Sequence, residues 1–310
     1  MFLEIWGKKL WYEIYGAEHP DTLLYLHGGP GASCLDFVNQ AKALSEKMKV
    51  VIFDQLGVMR SEAIAENETY SMDYQIEMIE EMRKFLGIEK WSILGHSYGG
   101  MLAVLYAYTY PDSIHKVILE CPSLHFEDSA KSTAEYLSEH IHSLNDDAAA
   151  KLCKKIKFTD YQNKPEVVWD LSSLLGYVTD MELANYLHSI SFDEYWESMD
   201  TAGITDEMWS KGGRHLTKLL ETQPMPDGSL RKRVMMTDNF LPMLPKIAAP
   251  LLLITGKYDP ACTKNQTEYI LNNAQNVTQA IFEDSGHFPR LEEAKKYTNT
   301  VWSFLDYEQG

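Results

Sequence analysis

The stretch Gly95-His96-Ser97-Tyr98-Gly99 limits what this chain can fold into more than any other part of the sequence. An apolar run, Trp91 to Leu94, leads into it, and a helix-like run, Met101 to Tyr108, follows it. This context predicts a strand, a sharp turn with Ser97 at its apex, and a helix. Glycines on both sides let the strand and the helix pass close together, so the serine hydroxyl is held out of the sheet. The N–H groups at the helix start point at any negative charge that forms beside that hydroxyl.

The rest of the chain repeats this alternation of apolar strands and helices. We predict an N-terminal hairpin over Phe2–Tyr15 and a helix over Tyr74–Leu86 that ends at Gly87. The apolar runs are too continuous for burial on one face, so they indicate a parallel sheet covered on both faces. Further strands are predicted at Thr22–Leu26, Val50–Phe53, Trp91–Leu94, Val117–Leu119, Pro250–Thr255 and Thr278–Phe282, and a closing helix at Leu291–Leu305.

The segment from about Ser123 to Met236 interrupts the strand pattern. It contains no clear buried strand, and it is helix-prone and carries many aromatic residues. We therefore expect an α/β core formed by residues 1–123 and 237–310, with a helical cap domain inserted at residues 124–236. The predicted fold is the α/β-hydrolase fold, with a mostly parallel central sheet and helices on both of its faces.

Two loops that follow predicted strands carry an acid and a base. A serine is a poor nucleophile unless a base lies within hydrogen-bonding distance, and the base needs an acid to orient it. Residues beyond the carboxyl ends of such strands gather at one edge of the sheet, and here they include Asp259 and His287. The chain order Ser97, Asp259, His287 matches that of the α/β hydrolases, so we predict these three as nucleophile, acid and base. Glu120 also follows a strand and is a rival acid, although Asp259 is preferred.

The loop His27-Gly28-Gly29-Pro30-Gly31 follows another predicted strand. A serine hydrolase needs N–H donors for the oxyanion that forms on the attacked carbonyl group. We predict that one donor is the N–H of Tyr98, directly after the serine, and that the other is the N–H of Gly29.

Three motifs together resemble the proline iminopeptidases (prolyl aminopeptidases) of the α/β-hydrolase superfamily. They are His27-Gly-Gly-Pro-Gly31, Asp54-Gln-Leu-Gly57 with Arg60-Ser61 close behind, and Gly95-His-Ser-Tyr-Gly-Gly100. The resemblance covers about Phe2–Ser123 and Leu241–Tyr307. It implies an enzyme that removes an N-terminal residue, often proline, from short peptides or amino-acid amides, with no metal and no cofactor.

The resemblance also implies that cap glutamates bind the free α-amino group of the substrate, because a cationic amine needs a carboxylate partner. Four glutamates of the predicted cap are candidates: Glu182, Glu194, Glu197 and Glu207.

The chain departs from the family pattern at three places. Val58-Met59 stands where a further glycine is common, Tyr98 stands where tryptophan is common, and Gly-His96-Ser is equally typical of esterases. A carboxylesterase or lactonase acting on small esters is therefore the main alternative. A ligand-binding relative without catalysis is a lesser one, since Ser97, Asp259 and His287 are all present.

The net charge, the cysteine spacing and the apolar runs argue against several other kinds of protein. The formal net charge of −17 disfavours nucleic acids and anionic membranes as partners, and it mildly favours cationic or neutral small substrates. The four cysteines have no C-x-x-C spacing, and the N-terminus lacks the features of a signal peptide. No apolar run approaches the roughly 20 residues that span a bilayer. We expect a cytoplasmic protein with reduced thiols, and the sequence does not predict its oligomeric state.

Overall fold

The strands form one central sheet in the computed structural model, which describes residues 1–140, 147–178, 199, 201, 203–221 and 234–307. The strands are β1 (Phe2–Ile5), β2 (Lys8–Tyr15), β3 (Thr22–Leu26), β4 (Lys49–Phe53), β5 (Trp91–His96), β6 (Ile114–Glu120), β7 (Leu251–Gly256) and β8 (Val277–Phe282). Their order across the sheet is β1-β2-β4-β3-β5-β6-β7-β8. The pairs β1–β2 and β2–β4 are antiparallel, and every later pair is parallel. The predicted N-terminal hairpin and the mostly parallel sheet are both confirmed.

Helices connect the parallel strands. The described helices, numbered in chain order, are α1 (Val38–Leu44), α2 (Met72–Phe85), α3 (Tyr98–Thr109), α4 (Phe126–His140), α5 (Asp147–Phe158), α6 (Glu166–Leu175), α7 (Asp206–Leu220), α8 (Lys264–Asn273), α9 (Pro289–Glu292) and α10 (Ala294–Phe304). Short 3₁₀ turns at Cys34–Phe37, Pro111–Ser113 and Leu241–Lys246 join some of these elements.

Both faces of the sheet are buried, as the continuous apolar runs predict. Every residue of β3 and β5 is buried. Neighbouring residues along a strand point to opposite faces, so Ile93 joins the apolar cluster that includes α2 and α3, whereas Leu94 joins the cluster that includes α1 and α10. The carboxyl ends of the parallel strands therefore meet at one edge between two helical layers, which is where ligands bind in sheets of this kind.

The described α-helices of the chain between β6 and β7 are α4 to α7, which loops and turns connect. We call this segment the helical insertion. An isolated bridge between His125 and Asn239 closes its base. Apolar side chains from all four helices, including Ala134, Cys153 and Leu219, belong to the same buried cluster as the α3 face of the core.

The closing helix differs from its prediction, since it is divided into α9 and α10. Glu293 lies between the two helices with φ −124° and ψ 49°, outside the helical region. Its carboxylate instead accepts hydrogen bonds from the Ser285 hydroxyl at 2.7 Å and the Asp284 N–H at 3.2 Å. These bonds fasten the start of the closing segment to the loop that follows β8.

Among the described helices, none has the length and apolar character that crossing a membrane would require. The four cysteines are buried and form no disulfide.

Candidate active site

Ser97 occupies a strained turn between β5 and α3. Its backbone has φ 53° and ψ −117°, a conformation that a residue with a side chain adopts at a cost of about 1–3 kcal/mol. The turn is held by the Ser97 N–H, which donates to the Glu120 carbonyl at 3.0 Å, and by the Gly100 N–H, which donates to the Ser97 carbonyl at 2.9 Å. A β-carbon at Gly95 would overlap the carbonyl oxygen of Gly99, so this crossing requires glycine. The structure thus contains the strand, turn and helix that the sequence predicts.

Asp259 and His287 are brought together from the loops after β7 and β8. Asp259 Oδ2 lies 3.0 Å from His287 Nδ1, and both side chains are buried. The other carboxylate oxygen accepts the Ala261 N–H at 2.8 Å, which fixes the carboxylate in the loop. The two loops are also joined by the Tyr258 N–H, which donates to the Ser285 carbonyl at 3.0 Å. Because Asp259 holds Nδ1, the second ring nitrogen of His287 is left for another partner.

Glu120, the rival acid, has different partners. Its carboxylate accepts the Arg290 guanidinium at 3.0 Å and the Tyr297 hydroxyl at 3.0 Å, and all three side chains are fully buried. Arg290 also forms an ion pair with Asp36. Burial raises the pKa of Glu120 above its usual value, although Arg290 opposes this shift. Both oxygens of Glu120 are thus used within a buried ionic network, and the hydrogen bond to His287 is made by Asp259.

The glycine-rich loop after β3 lies beside the serine turn. A β-carbon at Gly28 would be 3.3 Å from Ser97 Cβ, so the loop passes close to the serine side chain. Gly29 has φ 116°, which side chains disfavour. Tyr98 is the first residue of α3, where N–H groups have no partner within the helix. The structure therefore places the loop that carries Gly29 next to Ser97 and the start of α3.

A buried polar network fastens this loop to the segment after β4. The carboxylate of Asp54 accepts the Ser33 hydroxyl at 2.6 Å and the Arg60 guanidinium at 2.6 Å. Burial alone would raise the pKa of Asp54, but the hydrogen bond and charge of Arg60 hold it below its usual value. Next to it, the Gln55 N–H donates to His27 Nε2 and the Gln55 amide donates to the His27 carbonyl, both at 3.2 Å. Residues of two of the resemblance motifs therefore hold each other in place.

His96 links the serine turn to the His287 loop, a role that sequence reasoning missed. Its Nε2–H donates to the His287 carbonyl at 2.9 Å, and the two imidazole rings lie 4.8 Å apart. Burial lowers the pKa of His96 well below its usual value, so the ring is neutral. Its Nδ1 faces Gly28 and has no hydrogen-bond partner among the described residues. His96 thus contacts the nucleophile turn, the glycine-rich loop and the base loop together.

One set of described side chains could hold a metal ion. Cys121 Sγ, an oxygen of Asp259 and a ring nitrogen of His287 lie within 4.8 Å of one another. A metal bound through Nδ1 of His287 would displace the proton that this nitrogen shares with Asp259. The hydrogen bond between these two residues instead suits an acid–base pair.

Of the four glutamates expected to bind an amine, only Glu207 lies among the residues that the structure describes. Glu207 lies in the first turn of α7 and is exposed. Glu182, Glu194 and Glu197 lie outside the described residues.

Comparison with known proteins identifies the family. The sequence model of the alpha/beta hydrolase fold matches residues 21–294. The chain belongs to this family. It is therefore a hydrolase, and the α/β-hydrolase fold predicted from the sequence is confirmed.

Relatives of this α/β hydrolase include several proline iminopeptidases. The enzyme of Saccharolobus solfataricus is 27% identical, and the match covers 98% of this chain and 91% of the relative. The enzyme of Heyndrickxia coagulans is 25% identical, with 98% of each chain covered. These matches confirm the resemblance that the three motifs indicate.

Solved structures of several α/β hydrolases share the fold. A proline iminopeptidase from Mycobacterium smegmatis superimposes with a TM-score of 0.69 at 17% identity, covering 99% of this chain and 97% of that one. An esterase from Exiguobacterium antarcticum superimposes with a TM-score of 0.65 at 18% identity, covering 98% of both chains. Such similarity extends to the fold and does not separate peptidases from esterases.

Proposed function

We propose that this hydrolase is a serine aminopeptidase. It releases an N-terminal residue, proline or another small or apolar residue, from short peptides or amino-acid amides through an acyl-enzyme. The observation that carries the catalytic part of this proposal is the 3.0 Å contact between Asp259 and His287, next to the strained turn that presents Ser97.

In this mechanism Ser97 Oγ attacks the carbonyl carbon of the bond to be cleaved. His287 Nε2 accepts the hydroxyl proton and then gives it to the nitrogen of the leaving amine. Asp259 keeps the other ring nitrogen protonated and stabilises the imidazolium that forms in between. A water molecule then attacks the acyl-enzyme by the same route, which frees the N-terminal residue and restores Ser97.

The oxyanion of each tetrahedral intermediate would be bound by the N–H groups of Gly29 and Tyr98. Loss of one such donor typically lowers the rate about 10²- to 10³-fold. The α3 helix adds to this stabilisation, because its N-terminal end carries a partial positive charge.

The substrate part of the proposal is supported by the proline iminopeptidases among the relatives and by the net charge of −17, which favours a cationic amine. We propose that the helical insertion forms a cap over Ser97, with boundaries near residues 124 and 236, and that one or more of its glutamates bind the amine. The candidates are Glu182, Glu194, Glu197 and Glu207.

A pair of substrates that differ only at the amine tests this proposal. We expect hydrolysis of L-proline β-naphthylamide and at least a hundredfold lower kcat/KM for N-acetyl-L-proline β-naphthylamide, since a carboxylate that pairs with the charged amine discriminates strongly against a neutral amide. Ser97→Ala is the control and should hydrolyse neither.

Two other outcomes would contradict the substrate assignment. Equal rates on both amides would mean that no carboxylate recognises the amine. Hydrolysis of a butyryl aryl ester without hydrolysis of either amide would instead identify a carboxylesterase, which the Gly-His96-Ser sequence also suits.

A further inference from the structure

Helix α7 of the helical insertion is fastened to the core along one face. Three side chains spaced at helical intervals donate to backbone carbonyls of the segment after β4. Lys211 Nζ donates to the carbonyls of Met59 at 2.9 Å and Ser61 at 3.0 Å. His215 Nδ1 and Lys218 Nζ donate to further carbonyls of this segment, at 2.8 Å and 2.5 Å. Breaking these bonds would leave buried groups unpaired, so α7 is held firmly against this part of the core.

The same face of α7 also touches the glycine-rich loop. A β-carbon at Gly212 would lie 2.5 Å from the carbonyl oxygen of Gly31, and a β-carbon at Gly31 would lie 2.6 Å from the carbonyl oxygen of Gly212. The contact is thus backbone against backbone, and neither residue has room for a side chain. Gly31 is two residues from Gly29, whose N–H is the proposed oxyanion donor.

This contact explains why α7 contains glycine in its interior. A glycine in the interior of a helix lowers the stability of that helix relative to alanine. Gly212 has a packing reason, because Gly31 leaves no space for a methyl group. The next residue, Gly213, is exposed and has nothing within 4 Å of where its β-carbon would be. The two glycines differ in a single relevant way, which is contact with the loop.

We propose that Gly212 is a positioning residue for the oxyanion hole. Through its contact with Gly31, helix α7 sets the place of the Gly29 N–H relative to Ser97, so the helical insertion influences the chemical step as well as substrate access. This inference rests on the proposed function of Ser97 and the Gly29 loop. It does not depend on which acyl compound is the natural substrate.

The substitution Gly212→Ala tests the inference, with Gly213→Ala as its matched control. The added methyl group at position 212 pushes on the loop because the lysine and histidine contacts prevent α7 from moving away. We expect kcat on an activated aryl ester to fall about tenfold or more with KM nearly unchanged, as for an interaction made in the transition state. The rate at which a fluorophosphonate modifies Ser97 should fall in parallel. Gly213→Ala should stay within about twofold of the unmodified protein.

A second variant separates positioning from damage to the fold. In Lys211→Met/Gly212→Ala, the helix has lost a fastening contact and can shift away from the loop. We expect its kcat to lie closer to that of the unmodified protein than the kcat of Gly212→Ala does. A simple loss of stability would make the double variant worse than the single one, and that result would overturn the inference. If Gly212→Ala does not fold, recovery of a folded and active protein in the double variant supports the inference, and a double variant that also fails to fold overturns it.

The failure of this inference can be told apart from failure of the proposed function. If the unmodified protein reacts with the fluorophosphonate and the two glycine variants react equally fast, the positioning role is wrong while Ser97 remains the nucleophile. If the unmodified protein reacts with neither the fluorophosphonate nor the ester, the proposed function is wrong, and the inference is overturned with it.

Discussion

Asp259 follows β7 and Glu120 is the last residue of β6, and both are buried, but their hydrogen-bond partners give them different tasks. Asp259 contacts the imidazole of His287, whereas Glu120 contacts Arg290 and Tyr297. An acid that orients a catalytic histidine acts on the chemical step, while an acid in an internal ionic network acts on stability. The two residues can therefore be separated by experiment.

We predict that Asp259→Asn lowers kcat about 10⁴-fold, because the amide would favour the wrong tautomer of His287. Glu120→Gln is the matched change at the rival acid and should lower kcat by less than about tenfold. Steady-state kinetics on one substrate, with circular dichroism to check folding, measures both. A larger loss for Glu120→Gln than for Asp259→Asn would mean that Glu120 is the catalytic acid.

Residues that belong to a recognisable motif, or that follow strands in a known chain order, could be predicted from the sequence. His96 could not, because it acts through contacts with distant parts of the chain. Ser97 stands in a recognisable turn, and Asp259 and His287 follow strands in a known order. His96 offers no comparable signal, because its partner, the His287 carbonyl, is 191 residues away. Only the packing of β5 against the loop after β8 brings the two together.

Between elements, a buried ionic network supports the loop that carries His287. Arg290 in α9 pairs with Asp36 in the 3₁₀ turn before α1 and with Glu120 at the end of β6. Arg290 is three residues after His287 and is fully buried. The network therefore joins three elements at the edge of the sheet where the candidate active site lies.

We predict that Arg290→Met destabilises the protein by about 3–5 kcal/mol, since it leaves two buried carboxylates without their cation. Urea unfolding followed by circular dichroism measures the change. The control is Lys257→Met, which removes an exposed partner of Glu283 and should leave the unfolding midpoint unchanged. A midpoint for Arg290→Met equal to that of the control would show that the network contributes nothing to stability.

The boundaries of helices and strands were predicted well where the apolar residues follow a single pattern, either a continuous run or helical spacing. The buried strands and α2 lie within a few residues of their predicted limits. The division of the closing helix at Glu293 was not predicted, because that residue is helix-compatible by itself. Glu293 adopts a non-helical backbone conformation, and its carboxylate accepts hydrogen bonds from Ser285 and Asp284. The periodicity of the sequence around Glu293 carries no information about these contacts with the preceding loop.

Across the whole molecule, several histidines are buried in neutral form. Burial lowers the pKa values of His27 and His96, and it lowers that of His215 to about 3. The unfolded chain therefore binds protons at these positions at a higher pH than the folded protein does. The contribution of these three histidines to the free energy of unfolding should therefore decrease as the pH falls from 7 to 5.

We predict that His215→Asn reduces this loss between pH 7 and pH 5 by about 2 kcal/mol, the amount expected for one histidine titrating only in the unfolded state. Asparagine can still donate to the Leu56 carbonyl that His215 binds. Urea unfolding at the two pH values measures the difference. His140→Asn, at an exposed histidine in α4, serves as the control, and an equal pH dependence in both variants would contradict the assignment.

The parallel sheet and the helical insertion could both be predicted from the sequence. Long apolar runs indicate the strands of the sheet, and the lack of such runs between about Ser123 and Met236 indicates the insertion. The contact between Gly31 and Gly212 could not be predicted in this way. It joins a loop of the core to a helix of the insertion, and each glycine alone is compatible with an ordinary turn or a tolerated helix position.

The central claim is that Ser97 is the nucleophile. The most direct test is reaction with a fluorophosphonate, followed by mass spectrometry of the intact protein and of its peptides. We predict a single adduct on the peptide that contains Ser97, none in Ser97→Ala, and slower formation in Asp259→Asn. An unmodified wild-type protein, or an adduct that forms equally in Ser97→Ala, would contradict the account.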